Sequence, residues 1–281
     1  MDELCILIVN YNSTNYTIEL IKNLKKSTYK KFDILVFDNN SKEDLSNLEQ
    51  LKEIKLIKHD KNLGLSGGVN KALTFIKNKY VLLLNPDIAI DDNCINELLE
   101  LIKKDEKIAF VGGAIYNFKD KNKINAFGGK INFITGLAKS LVNEYKIREL
   151  KYGEYTDACV LMFNREIFQK LGGYDKKYFM YLETEDIILR AMKNKFKVLI
   201  NPKAKVWHKV YGSTGGKKSK FSVYYLTRNR FLFMKKFSTY NYALFLFINL
   251  FFILPLQLIL FLIRGQFNLI YSFLKGFIDG V

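Results

Sequence analysis

Residues 5–11 read CILIVNY, a short apolar run that ends in polar side chains. A run of this length, rich in isoleucine and valine, predicts a buried β-strand and is too short for a signal peptide. Further apolar runs alternate with segments of helical spacing in the first 90 residues, at 31–38, 54–59 and 80–87. This alternation predicts an α/β fold in which a mostly parallel sheet carries helices on both faces.

Three of the predicted strands end in polar residues, which read NYN at 10–12, DNNS at 38–41 and NPD at 85–87. Ligands of open α/β sheets bind at the carboxyl ends of the strands, so we expect a binding site there. Asp38 can accept a hydrogen bond from a nucleobase or a sugar. Alternatively, it forms an Asx turn or caps a helix, because DNNSKED favours both structures.

A glycine-rich turn, NLGLSGGVN at 62–70, opens the next predicted helix. Glycines allow the backbone to approach a ligand closely, and a helix N-terminus favours phosphate. The stretch matches neither GxGxxG nor GxxxxGK[ST], which argues against a dinucleotide-binding site and a P-loop.

Asp87 and His208 are candidate metal ligands. Asp87 ends the apolar strand LLLNPD, where Pro86 stops the hydrogen-bond ladder, and His208 ends the predicted strand KAKVWHK. One or two carboxylates together with substrate phosphates suit Mg²⁺ or Mn²⁺. The alternatives are an ordinary turn aspartate and a packed structural histidine, so the pattern alone leaves both roles open.

Residues 181–190, YLETEDIILR, place three carboxylates within four positions. Glu183, Glu185 and Asp186 either provide acid–base chemistry or stabilise the first turn of a helix, where acidic side chains are favoured. The spacing of the apolar residues after Asp186 predicts an amphipathic helix.

The net charge of +16 is concentrated in the last third of the chain. Residues 1–186 hold 28 Lys and Arg against 27 Asp and Glu, whereas residues 187–278 hold 16 Lys and Arg and no acid. This basic region is interleaved with apolar sequence, which favours an anionic membrane surface as a partner over nucleic acid. Three widely spaced cysteines indicate neither a zinc site nor a disulfide framework, so we expect a reducing compartment.

Residues 242–263 form an uncharged apolar stretch of 22 residues, interrupted by Asn249, Pro255 and Gln257. The stretch is long enough to span a bilayer, and an interfacial or re-entrant helix or a core or oligomer helix are the alternatives. We therefore expect a globular domain at 1–236 and an apolar, membrane-associating helical segment at 237–281. The expected location is the cytoplasmic face of the cell membrane, with a homo-oligomer as a further possibility.

Taken in order, the strand ends, the glycine-rich turn, LGGYDKKYFMYLETED at 171–186, VWH at 206–208 and YYLTRNR at 224–230 resemble family 2 glycosyltransferases. The resemblance covers about residues 4–236 and is greatest to the rhamnosyltransferase-like and galactofuranosyltransferase-like branch. It implies a GT-A fold, in which a Rossmann-like mixed sheet binds a nucleotide-sugar. It also implies Mg²⁺ or Mn²⁺ and inverting transfer from a UDP- or dTDP-sugar to a hydroxyl of a glycan or lipid-linked acceptor.

The resemblance carries specific roles onto this chain. The implied metal ligands are Asp87 and His208, because only the last acid of the family's DxD element is retained. The implied donor-binding residues are Asn10, Tyr11, Asn12, Asp38, Asn62, Gly64, Gly68, Asn70 and Asn85.

The carboxylate pattern departs from the family at one position. The usual second acid, six residues before Arg190, is Thr184 here, and a hydroxyl is not a base at neutral pH without help. We expect Glu183 or Glu185 to be the catalytic base, with Asp186 capping the helix. Thr184 also leaves open a second function, that of a non-catalytic scaffold that binds a nucleotide-sugar or a partner enzyme.

Overall fold

The structure is a computed structural model that describes residues 2–143, 146–209, 219–238 and 241–281. The strands are β1 Leu4–Asn10, β2 Phe32–Asp38, β3 Lys55–Lys58, β4 Tyr80–Leu84, β5 Ile88–Ile90, β6 Ile108–Asn117, β7 Ile124–Ala126, β8 Gly129–Ile131, β9 Ala138–Ser140, β10 Arg148–Glu149, β11 Glu154–Tyr155, β12 Val160–Asn164 and β13 Lys197–His208. The helices are α1 Thr14–Leu24, α2 Ser46–Glu49, α3 Gly64–Ala72, α4 Cys94–Ile102, α5 Arg165–Lys170, α6 Glu183–Lys193, α7 Lys220–Phe237, α8 Tyr242–Ile248, α9 Leu254–Ile263 and α10 Phe267–Gly280.

The large sheet has the strand order β10-β13-β6-β12-β4-β1-β2-β3, with β5 paired to β13 and β7 paired to β6. Strands β1 to β4 are parallel, as the alternating sequence predicts. Strand β12 enters antiparallel between β4 and β6, and β13 returns parallel to β6. The sheet is therefore mixed, and the predicted α/β class with a Rossmann-like parallel half is confirmed.

Strand β1 shows why both faces of the sheet are covered. Leu4, Ile6 and Ile8 pack into one apolar core and Cys5 and Leu7 into the other, because successive side chains of a strand point to opposite faces. Every one of the five is at most 2% exposed. Full burial of a leucine or isoleucine side chain contributes about 1.5–3 kcal/mol, so the apolar run stabilises both layers.

The segment 118–154 forms short strands that the sequence did not indicate. It contains several strands of two or three residues, and three of these, β11, β8 and β9, pair into a second small sheet. Strands this short are below the length at which alternation of apolar and polar residues becomes visible in a sequence.

Strand β13 is continuous across Pro202 and extends the predicted strand KAKVWHK toward the N-terminus as far as Lys197. The register against β6 shifts between Asn201 and Lys205, and this irregularity accommodates the proline, which cannot donate to the ladder. The continuous strand carries His208 to the sheet end that also holds Asp87, since His208 pairs with Ile88 of β5.

The C-terminal region contains the predicted apolar helix. Helices α8 and α9, joined by a π-helical turn at Asn249–Ile253, form one helix of 22 residues that by length and composition is able to cross a membrane. Only 11% of its most apolar window is buried within the protein. Helix α10 lies within the segment 237–281 that was expected to be helical, and it packs on α7 across the expected boundary at residue 236.

Two glycines allow the close approach of α10 to α7. A Cβ atom on Gly276 would lie 2.5 Å from the carbonyl oxygen of Tyr224, and one on Gly280 would lie 2.6 Å from that of Arg228. Neither distance is compatible with van der Waals contact, so only glycine fits between the two helices.

We expect Gly276→Ala to destabilise the protein by about 1–3 kcal/mol, because the added methyl forces the helices apart. In an unconstrained helix the same change would stabilise the helix by about 1 kcal/mol. A loss of stability therefore distinguishes a packed glycine from an exposed one. Thermal unfolding in detergent measures the effect. Lys275→Ala, at an exposed position of the same helix, is the control, and an equal or smaller loss in Gly276→Ala would contradict this account of the packing.

Candidate active site

The carboxyl ends of β1 and β2 are joined by a buried hydrogen-bond network. Asn10 donates through Nδ2 to Oδ1 of Asp38 at 2.8 Å, and Thr17 donates through its hydroxyl to Oδ1 of Asn10 at 2.7 Å. Asp38 also accepts from the backbone N–H and the hydroxyl of Ser41, at 3.0 and 2.6 Å. The Asp38 carboxylate therefore accepts a hydrogen bond from the backbone three residues on, and it joins the ends of β1 and β2.

Asn39 ties this edge to the glycine-rich turn, although sequence reasoning did not single it out. Its Nδ2 donates to Oδ1 of Asn62 and to the carbonyl of Gly64, both at 3.0 Å. Its Oδ1 accepts from the backbone N–H of Leu63 at 2.9 Å, and its own N–H donates to the carbonyl of Asn10 at 2.8 Å. Asn62 is thus a structural partner of Asn39. The repeated asparagines of DNNS were the sequence feature that could have indicated the role of Asn39.

Tyr11 and Asn12 follow β1 at the same edge. Asn12 has a positive φ of 49°, its N–H donates to the Ser41 hydroxyl at 2.9 Å, and its Oδ1 accepts from the N–H of Lys42 at 2.8 Å. The turn after β1 is therefore held against the turn after β2. Tyr11 is 37% exposed and is available to a ligand.

The two predicted glycines of α3 are confined by neighbouring backbone and side chains. Gly64 has a φ of +67°, and a Cβ there would overlap the carbonyl oxygen of Phe179. A Cβ on Gly68 would lie 3.2 Å from Val9 and 3.5 Å from Nδ2 of Asn39. These glycines let the first turn of α3 lie against the strand ends and against the segment around Phe179.

Asn70 anchors a loop. Its Nδ2 donates to the carbonyl of Tyr174 at 2.8 Å, and its Oδ1 accepts from the N–H of the same residue at 2.9 Å. These two bonds attach α3 to the LGGYD stretch that leads to the carboxylates.

Asp87 and His208 lie side by side, as candidate metal ligands must. Oδ1 of Asp87 is 3.2 Å from Nε2 of His208, and the Asp87 carboxylate is largely buried. Asn85 contacts Cys159 instead. Its backbone N–H donates to the carbonyl of Cys159 at 3.1 Å, and its Nδ2 lies 3.5 Å from the sulfur of Cys159.

The donor set fits a divalent cation that is shared with a substrate. Among the described residues, no group of three or more His, Cys, Asp and Glu side chains is placed to hold a metal ion. Asp87 and His208 supply one carboxylate and one imidazole, and Mg²⁺ and Mn²⁺ sites of this kind are completed by substrate phosphates and water.

Glu183 begins α6 in an enclosed position. It is 3% exposed, its Oε2 lacks a hydrogen-bond partner among the described residues, and burial raises its pKa to about 7. The neighbouring Thr184 is 2% exposed, and its hydroxyl lies 3.1 Å from that of Tyr174. The residue that replaces the family's usual acid is therefore packed against the protein interior.

Glu185 is a half-buried residue, whereas Glu183 and Asp186 are buried. Burial, followed by the charges of Glu183 and Asp157, raises its pKa to about 8. Asp157 precedes β12 and was not predicted as a site residue. Burial raises the pKa of the Cys159 thiol, and the charges of Asp157 and Asp87 raise it further. The charge of Asp157 therefore acts on both Glu185 and Cys159.

Asp186 has a different environment. It is completely buried, and its carboxylate lies 2.6 Å from Nε of Arg190 and 2.6 Å from Nζ of Lys236. Asp186 lies in the first turn of α6, as expected for an acid at a helix N-terminus, but the N-cap is Leu182 and no described side chain forms a capping hydrogen bond to α6. Arg190 also donates to the carbonyls of Leu171 and Gly173, so this ion pair holds the loop before the helix.

The glycosyl transferase family 2 profile matches residues 5–172, which is more than half of the chain. Fold, site and profile agree, and the chain belongs to glycosyl transferase family 2. It is a glycosyltransferase of glycan or polysaccharide synthesis.

Curated relatives agree with this assignment. The chain is 27% identical to the low-salt glycan biosynthesis hexosyltransferase Agl10 of Haloferax volcanii over 83% of this chain and 75% of that protein. It is 25% identical to the rhamnosyltransferase WbbL of Escherichia coli over 66% of this chain and 75% of that protein. It is 22% identical to the N-acetylglucosaminyl-diphospho-decaprenol L-rhamnosyltransferase of Mycobacterium tuberculosis over 76% and 78%, respectively.

Solved structures confirm the GT-A fold. The mannosyltransferase PcManGT of Pyrobaculum calidifontis, solved with GDP-Man and Mn²⁺, superposes with a TM-score of 0.64 at 12% identity, over 99% of this chain and 87% of that chain. GalNAc-T7, solved with UDP, GalNAc and Mn²⁺, superposes with a TM-score of 0.62 at 19% identity. This chain spans 48% of the GalNAc-T7 chain and is itself covered to 81%.

We expect Asp186→Asn to destabilise the protein by about 1.5–3 kcal/mol, because the fully buried carboxylate loses its charge-assisted bonds to the partly exposed Arg190 and Lys236 side chains. Denaturant unfolding measures the loss. Asp105→Asn is the matched control, since Asp105 forms an exposed ion pair with Lys197, and removal of such a pair costs about 0–1 kcal/mol. Equal losses in the two variants would contradict a structural role for Asp186.

Proposed function

We propose that the protein is an inverting, metal-dependent glycosyltransferase that moves a sugar from a UDP- or dTDP-sugar to a hydroxyl of a glycan or lipid-linked acceptor. The observation that carries the proposal is the Asp87–His208 pair at the end of the sheet, in the same structure as a half-buried glutamate, Glu185, whose pKa is raised to about 8. A pair of cation ligands together with a carboxylic acid of raised pKa suits the transfer of a sugar to a hydroxyl group.

In this proposal Asp87 and His208 would hold Mg²⁺ or Mn²⁺, and the bound ion would supply charge stabilisation for the leaving diphosphate. The turns after β1 and β2, with Tyr11, Asn12 and Asp38, receive the nucleoside. The α3 glycines Gly64 and Gly68 allow close approach of the diphosphate to backbone N–H groups, which favour anions at a helix N-terminus.

Glu185 is the proposed base. Its carboxylate accepts the proton of the acceptor hydroxyl while that oxygen attacks the anomeric carbon on the face opposite the leaving group. One displacement inverts the configuration, so a single base is sufficient. Glu183 is enclosed beside Thr184 and Tyr174, and its charge raises the pKa of Glu185. Asp186 is already paired with two cationic side chains and is excluded from the role.

The apolar helix supports membrane association. Phe251, Phe252 and Ile263 are 64%, 61% and 77% exposed, which is costly in water and favourable in a bilayer. The acid-free basic region around this helix favours the anionic cytoplasmic face. A membrane position would bring the enzyme to a lipid-linked acceptor.

A donor screen tests the function. Diphosphate release from UDP-, dTDP- and GDP-sugars is measured with Mg²⁺, Mn²⁺ or excess chelator, with and without an acceptor extract. We expect turnover that the chelator abolishes and that Asp87→Ala lowers by about 100-fold or more, since both remove charge stabilisation from the leaving group. Nucleotide binding without turnover of any donor would favour the scaffold function, for which Thr184 is the motivating observation.

The assignment of the base has a separate test in the dependence of kcat/KM on pH. Glu185 acts only when deprotonated, so its raised pKa predicts activity that rises with pH through about 8 instead of reaching a plateau above about 5. Glu185→Gln should remove this limb and lower kcat by about 100-fold or more.

The matched variant is Glu183→Gln. It removes a like charge from the vicinity of Glu185, lowers the pKa of Glu185 and moves the rising limb to lower pH while activity persists. Full turnover in Glu185→Gln, with loss of activity in Glu183→Gln, would transfer the role to Glu183.

A further inference from the structure

The segment Phe179–Leu182, which leads directly into α6, has an unfavourable backbone conformation. Phe179, Tyr181 and Leu182 have φ values of +58°, +72° and +67°, and none of them is glycine. Left-handed conformations cost L-residues about 1–2 kcal/mol each. Such a segment keeps its shape only where the surrounding structure over-determines it.

Asn229 of α7 supplies that constraint. It is 0% exposed, and its Nδ2 donates to the carbonyls of Tyr178, Met180 and Tyr181 at 2.9, 2.7 and 2.9 Å. One amide group has two N–H bonds, so three carbonyls share them in a three-centre arrangement. The carbonyls of this non-helical segment therefore converge on one side chain.

Arg228 orients the amide. Its Nε donates to Oδ1 of Asn229 at 3.0 Å, and its guanidinium also donates to the carbonyls of Lys177 and Tyr178. Because Oδ1 of Asn229 receives the Arg228 donor, Nδ2 must point to the carbonyls. A side chain of the same shape without N–H donors cannot replace it.

The opposite side of the segment contacts α3. The carbonyl of Phe179 accepts from the N–H of Ser66 at 3.2 Å, and Gly64 leaves room for that carbonyl. The backbone of segment 179–182, up to the first residue of α6, is thus fixed by hydrogen bonds from α3 on one side and from α7 on the other.

We propose that Asn229 is a positioning residue for the transfer reaction: it holds the left-handed segment 179–182 and so sets where α6 begins and where Glu183 and Glu185 stand. The inference rests on the proposed function. A misplacement of about 1 Å in a reacting group costs on the order of 100-fold in rate, so the constraint has a kinetic consequence beyond stability.

The test compares Asn229→Ala, Asn229→Asp and a matched control, Asn201→Ala. Asn201 is also 0% exposed, and its Nδ2 donates to the carbonyl and a carboxylate oxygen of Glu97 at 2.9 and 3.1 Å, away from the α6 segment. Asn229→Asp preserves shape but places a carboxylate oxygen against three carbonyl oxygens. The full-length protein in detergent is used for all variants.

We expect both Asn229 variants to lower kcat by about 10-fold or more, with the larger loss in Asn229→Asp, and to change KM for the donor by less than the change in kcat. The rising limb of the pH profile should move, because the surroundings of Glu185 change. Asn201→Ala should lose thermal stability without either kinetic change. If the Asn229 variants lose only stability, as the control does, the proposal is overturned.

Limited trypsin cleavage after Lys176 and Lys177 provides a readout that needs no turnover. Cleavage should be slow in the wild type and in Asn201→Ala, and faster in both Asn229 variants. Unchanged cleavage together with unchanged kcat would refute the proposal that Asn229 holds segment 179–182. If the protein turns over no donor but the Asn229 variants are cleaved faster, Asn229 holds segment 179–182 as proposed. The catalytic function would then be refuted.

Discussion

The backbone between Leu171 and Leu182 crosses the site end of the sheet with little regular structure, and its polar groups must find partners outside helices and strands. An unsatisfied buried carbonyl or N–H costs about 1–3 kcal/mol, so this stretch requires side-chain donors and acceptors. They come from three separate helices, as Asn70 of α3, Arg190 of α6, and Arg228 and Asn229 of α7. Because one loop receives all of these bonds, it joins α3, the carboxylate-bearing helix α6 and the C-terminal helix α7 into one structure.

The carboxylates at the end of that loop differ in their partners, and this decides their chemistry. Asp186 is neutralised by two cationic groups at 2.6 Å, whereas Glu183 and Glu185 have no ion pair among the described residues. In a low-dielectric setting an acid without a cationic partner favours its neutral form, so the pKa values of Glu183 and Glu185 rise to about 7 and 8. Asp157, across from Glu185, adds to this effect. One turn of helix thereby carries one ion-paired acid and two acids with raised pKa values.

Much of the fold was predictable, because its first half is built from short apolar strands and periodic helices. Strands β1, β2, β3 and β4 lie close to the predicted ranges, and Asp87 and His208 were paired correctly as neighbours. The second small sheet was missed, since strands of two or three residues have no visible period. Asn39, Asp157 and Asn229 were not recognised because their roles depend on partners that are distant in sequence or reached only through the fold.

The sequence alone determined the α/β class, the polar strand ends, the apolar C-terminal helix and the resemblance to family 2 glycosyltransferases, because these depend on local periodicity and on the order of short motifs. Only the tertiary structure decided how the acids of YLETED divide their roles. In the sequence the three carboxylates are equivalent neighbours. In the fold, Lys236 and Arg190 neutralise Asp186, Glu183 is buried, and Glu185 is half-buried. Burial and charge pairing arise from long-range contacts, and these set the pKa of each group.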